Sequence, residues 1–134
     1  MPIRIVWDNE AKSIIRSTGE DDWTWEQFHE GLQKIVVMMQ SVDQRVDLIH
    51  DHAPGSRRPE GSGMPHYQRA MRLMPPNIGL TIFVNPNTFG RAIVSIFTRL
   101  YGNRSGGQFL MASSLEDARR MIEKDRKEKV SHAS

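Results

Sequence analysis

The residues best suited to chemistry in this chain gather at the end of one short apolar stretch, Arg45-Val46-Asp47-Leu48-Ile49-His50-Asp51-His52, with His66 following beyond a loop. In an extended strand His50 and His52 project to the same side, which could begin a metal site. No cysteine and no pair of histidines four apart on a helix completes one, so no metal is expected. Asp47 and Asp51 flank His50 near the carboxyl end of the stretch, where open α/β sheets bind ligands. Asp47 reads best as an ion-pair partner of Arg45 or Arg16. Asp51 reads equally as a pair partner or as part of a polar pocket lining. The loop that follows carries Ser56 and Ser62, and a second loop, Asn85-Pro86-Asn87, should lie beside it. Asn85 and Asn87 are turn formers first and ligand donors second.

The chemistry stops there. Gly61-Ser62-Gly63 is not a nucleophile elbow, because no strand runs straight into it. No glycine-rich phosphate loop is present, so no nucleotide or other cofactor is expected. His50 with Asp51 is all that a hydrolase could use, and no enzyme activity is expected.

Elements that would position these groups are marked by period and punctuation. Residues 2–7 and 11–16 read as an antiparallel hairpin, and 17–22 as a polar loop. Thr24-Trp25-Glu26-Gln27 is a capping box, with Trp23 and Phe28 at the hydrophobic-staple positions. The stripe Trp25, Phe28, Leu32, Ile35, Val36 and Met39 then marks a helix ending near Ser41, in which Gly31 is tolerated for close packing. The stretch ending at His52 is short and β-branched, as a buried parallel strand is. Pro65 opens a second helix with Tyr67, Ala70, Met71 and Met74 inward, stopped by Pro75-Pro76. A strand over 79–84 leads to a third helix capped by Asn87 or Thr88, and a last strand over 108–112 leads to a fourth helix through a capping box at Ser113-Ser114-Leu115-Glu116. Residues 1–123 form one α/β domain, and 124–134 a polar, frayed tail. The order β-β-α-β-α-β-α-β-α predicts a mixed, mostly parallel sheet covered by helices.

Totals are consistent with that. A chain of 134 residues can bury its own core, and without cysteine it holds no disulfide. A net charge of +2 is weak for a protein that binds nucleic acid, and none is expected as a partner. No run approaches the roughly 18 apolar residues of a membrane span, and the first residues lack a signal-peptide core, so a cytoplasmic protein is expected. Met38, Met39, Met71 and Met74, with the broad apolar arc of the third helix, could line an adaptable cavity. That arc could equally serve a homodimer interface.

The aromatic-led helix start (Trp23, Trp25, Phe28), Val46–Asp51 before a long loop, Leu80–Val84, and Phe109–Arg119 as closing strand and helix start occur in an order that resembles the STAS superfamily. The likeness is to its anti-sigma-factor-antagonist arm and the Sec14-like STAS/SEC14 proteins of bacteria, and it covers about residues 2–123. It implies a STAS-like fold and a non-catalytic regulatory module that binds a protein partner through loop 52–65 and the helix after it. Some members are switched by phosphorylation at the corresponding helix start, which makes Ser62 the candidate phosphosite. The family's Asp-Ser pair ahead of a glycine is missing here, Gly61 preceding Ser62. The Sec14-like alternative is a lipid or other small apolar ligand held between sheet and helices. On either reading His50, Asp51, His52, Ser56, Ser62, His66, Asn85 and Asn87 are the candidate contacts.

Overall fold

A computed structural model describes residues 3–19, 22–52, 63–86, 88–101 and 108–133. They form a single α/β domain: β1 (Ile3–Trp7), β2 (Ile14–Gly19), α1 (Trp25–Gln40), β3 (Val46–His52), α2 (Met64–Leu73), β4 (Ile78–Val84), α3 (Thr88–Tyr101), β5 (Gln108–Ala112) and α4 (Leu115–Ala133). Local chemistry sets several of these limits. Thr24 caps α1 as expected: its hydroxyl accepts from the Gln27 N–H at 3.0 Å, and the Gln27 side chain accepts from the Thr24 N–H at 2.9 Å. The Trp23 and Phe28 rings stack with centroids 5.9 Å apart, which completes the staple. At α4 the cap sits one residue later than the sequence reading has it. The helix starts at Leu115, so Ser114 caps Asp117, whose carboxylate reaches back to the Ser113 N–H.

The five strands lie side by side in chain order, β1 antiparallel to β2 and the rest parallel. β3 is therefore the central strand, paired on both sides. The crossovers β2–β3, β3–β4 and β4–β5 all step the same way, so a constant right-handed sense stacks their three helices on one face. Side-chain alternation agrees. Val46 and Leu48 pack with Ile35 and Met39 of α1, and Phe109 packs with Ile93 and Val94 of α3. Ile49, Leu80 and Ile82 point the other way, onto Ala118 and Ile122 of α4.

At the start of β3 the sheet carries an irregularity with a clear cause. Val46 faces Ile78 and Leu48 faces Thr81, so β4 has one extra residue. The displaced Leu80 N–H donates to Asp47 Oδ1 at 2.6 Å, and a Cβ on Gly79 would collide with Asp47 Oδ1 and Arg45 Nε. Asp47 is fully buried, with Arg45 on one carboxylate oxygen and Arg126 of α4 on the other. Arg126 also donates to the Ser13 carbonyl at 2.7 Å. Burial works against the Arg45 charge, but the hydrogen bonds and charges of Asp47 and Asp125 together outweigh it and raise its pKa. Arg45 is thus a partner of Asp47 as expected, while Arg16 turns to Asp8 at 3.2 Å. Residues 124–133, read from sequence as a frayed tail, continue α4, and Asp125 and Arg126 within them take part in this cluster.

Candidate functional site

The helix layer does not close fully onto the sheet. Between them lies a cavity of about 380 Å³, within the range of pockets that hold small organic ligands. Its floor crosses all five strands: Ile3 and Ile5 of β1, Ser17 of β2, Leu48 and His50 of β3, Thr81 and Phe83 of β4, and Phe109 of β5. One wall is α1, through Trp23 ahead of it and Phe28, Gly31, Leu32 and Ile35. The roof is α2, through Tyr67, Ala70, Met71 and Met74. Asn85 lines the cavity and is also exposed, so the space reaches solvent at the carboxyl end of β4. Gly31 has its place here. An alanine there would make only ordinary contacts, 3.6 Å to Ile5 and 3.7 Å to Ile3, so close packing does not require the glycine.

The lining is apolar and aromatic apart from Ser17, His50 and Thr81 on the floor, the Tyr67 hydroxyl on the roof and Asn85 at the end of β4. Ser17 sits directly beside His50 across the β2–β3 pairing, and Thr81 lies two residues lower on β4, opposite Leu48. Ser17 and Thr81 are 3% and 4% exposed, deep enough that any polar contact they make is shielded from water. The His50 ring stacks on Phe83 (4.9 Å, 28°), and Phe83 stacks on Phe109 (6.4 Å, 20°), so three near-parallel rings stand along the floor. No Lys, Arg, Asp or Glu is among the described residues lining the cavity. That lining can hold an apolar body and satisfy a small number of neutral polar atoms.

The roof is lightly held. α2 buries no residue fully, and its outer flank meets α1 through a histidine pair. His29 Nε2 and His66 Nδ1 are 2.8 Å apart, one ring donating and the other accepting, and His66 lies flat on Trp25 at 4.0 Å. Burial, then the charges of His66 and Arg69, lower the His29 pKa below its ordinary 6.5. A proton is thus bound less readily when α2 is docked than when it is not, and the undocked form gains as protons are added. Docking is fully supported above the ordinary histidine value and weakens as pH falls through the lowered one. Hydrogen exchange of the α2 amides, corrected for intrinsic rates, should rise severalfold between pH 7.5 and pH 5.5. His29→Gln should flatten that rise, since glutamine keeps a hydrogen-bonding group but removes the imidazole whose pKa is lowered. An equal rise in both proteins would exclude the histidine pair as its cause.

The sequence-derived candidates separate into distinct places. His50 and Asn85 both line the cavity. Asn85 has a left-handed backbone (φ 44°), and its N–H donates to the Ala112 carbonyl at 2.7 Å, as a turn former does. Asp51, next to His50 on the strand, points to the α4 face, where its charge acts on Arg119. His50 and Asp51 therefore do not face a common substrate. His66 joins His29 rather than His50, and no group of three or more metal-ligating side chains occurs among the described residues. His52 ends β3 opposite Gly19, and Ser56, Ser62 and Asn87 lie outside the described residues. Of the four methionines, Met71 and Met74 line the cavity, whereas Met39 is buried in the core and Met38 packs against it. Ser17 was read as loop but belongs to β2, which runs on to Gly19. Neither Ser17 nor Thr81 stood out in the sequence. The signal available was their parity with Ile15 and Phe83, which puts them on the helix-covered face.

Compared with models of protein families, with curated proteins and with solved structures, the chain finds no match.

Proposed function

We propose that this chain is a non-catalytic binding module of STAS-like build, and that its working site is the cavity under α2, which takes up a small, largely apolar molecule. The observation that carries the reading is the cavity itself. About 380 Å³ of apolar space beneath a helix with no fully buried residue forgoes packing contacts that a purely structural interior would make. The hairpin followed by three strand–helix passes is the part of the architecture that supports the STAS-like description. In this reading α2, the helix after loop 52–65, is both the roof of the site and the surface a protein partner would sense, so an occupied cavity alters what the partner meets. No helix among the described residues is long and apolar enough to cross a membrane.

Native mass spectrometry of protein purified without detergent tests this. The expected spectrum carries one small-molecule adduct that disappears on denaturation. A bare mass, combined with no uptake of any compound from a panel of neutral apolar molecules, would overturn the proposal.

A further inference from the structure

Taking the cavity reading above as its basis, we infer that the ligand is a flat, uncharged ring system bearing one hydroxyl or carbonyl, and that Ser17 and His50 receive that group. Three observations narrow the class. First, the walls are aromatic. His50, Phe83 and Phe109 stand nearly parallel on the floor, and Trp23, Phe28 and Tyr67, in contact with one another, line the space from the helix side. Rings favour offset stacked or edge-on contact with other rings, a preference an alkyl chain does not share.

Second, the described lining has no cation and no anion. A sulfonate, phosphate or carboxylate head would be buried there without a fixed countercharge, which is strongly unfavourable. Third, the polar group on the floor is concentrated. Ser17 and His50 are direct cross-strand neighbours and address one point. Thr81 lies two strands and two residues from Ser17, about 12 Å by strand spacing and rise. The other polar lining residues, Tyr67 and Asn85, stand on the roof and at the end of β4. Each hydroxyl has one O–H to give and two lone pairs to receive, so a hydroxyl already engaged with a protein partner can still meet a ligand. The size agrees, since about 380 Å³ accommodates one compact ring system and is near the lower end of ligand pockets.

Equilibrium dialysis of the full chain at pH 7.5 against 2-naphthol, naphthalene, naphthalene-2-sulfonate and palmitate tests the assignment. 2-Naphthol should bind more tightly than naphthalene and at least roughly tenfold more tightly than the sulfonate or palmitate, given the cost of burying an uncompensated charge. Ser17→Ala, which keeps the strand, should weaken 2-naphthol by about three- to tenfold, the worth of one hydrogen bond, and leave naphthalene nearly unchanged, whereas Thr81→Val should leave both nearly unchanged. Palmitate or the sulfonate binding as tightly as 2-naphthol would overturn the ligand class while leaving the cavity reading intact. So would variants that weaken naphthalene and 2-naphthol alike. Failure of both naphthalene and 2-naphthol to bind would overturn the cavity reading as well.

Discussion

Replacing Asp47 by alanine should destabilise the fold by about 3 kcal/mol, the low end of the range for removing one partner from a buried charge cluster. Three groups lose an acceptor together: the Leu80 N–H and the guanidinium groups of Arg45 and Arg126, which keep Asp125 and Ser13 respectively. They do not suffer equally. The Arg45 and Arg126 side chains retain 28% and 31% exposure and can turn to water, which keeps the loss from the upper end of the range. The Leu80 N–H cannot, because the extra residue of β4 has already taken it out of the ladder and an orphaned buried donor is costly. A loss of this size is a large part of the 5–15 kcal/mol that holds a typical domain. Asp47→Asn should be milder, since the amide oxygen can still accept from Leu80. Urea denaturation followed by circular dichroism measures both. An alanine variant within about 0.5 kcal/mol of the parent, the scatter of ordinary surface substitutions, would show that the cluster does not tie α4 to the sheet.

This cluster also shows where reading the sequence stops. β3 was legible because Val46-Asp47-Leu48-Ile49 is short, β-branched and apolar, and α1 was legible because Thr24 and Gln27 cap it through neighbouring residues. Such signals are local. The partner that completes Asp47 is Arg126, 79 positions away, in a segment whose composition alone reads as solvated tail. Ser17 was hidden for a related reason. Ser17-Thr18-Gly19 has the composition of a turn, yet β1 and β3 flank it and supply the ladder on both sides, so tertiary pairing overrides local preference. The cavity lay further still from view. Helical periodicity identifies Tyr67, Ala70, Met71 and Met74 as inward-facing, but an inward face looks the same whether it meets a packed neighbour or an empty space. The difference is a gap between surfaces brought together by the whole fold, and no stretch of sequence contains it.

Ala70→Trp should weaken ligand uptake while leaving the fold intact. Ala70 faces the cavity from the middle of α2, and an indole there occupies space a ligand would need. Forcing a ligand in beside it amounts to overpacking, which costs about 1–3 kcal/mol, or roughly five- to 150-fold in affinity. The empty protein should be no less stable than the parent, because filling a void restores contacts the lining lacks. An equal loss of stability and binding would instead mean that the indole had displaced α2.

The most direct measurement is methyl NMR of the parent protein and Ala70→Trp during titration with naphthalene. In the parent, the methyl signals of Ile3, Ile5, Leu48, Met71 and Thr81 should shift together and saturate. Those of Ile14, Ile49 and Ile122, on the α4 side of the sheet, should stay in place, and Ala70→Trp should need at least about fivefold more naphthalene for the same shifts. Shifts confined to the α4 side, or a Trp variant that binds as well as its parent, would contradict a ligand site beneath α2.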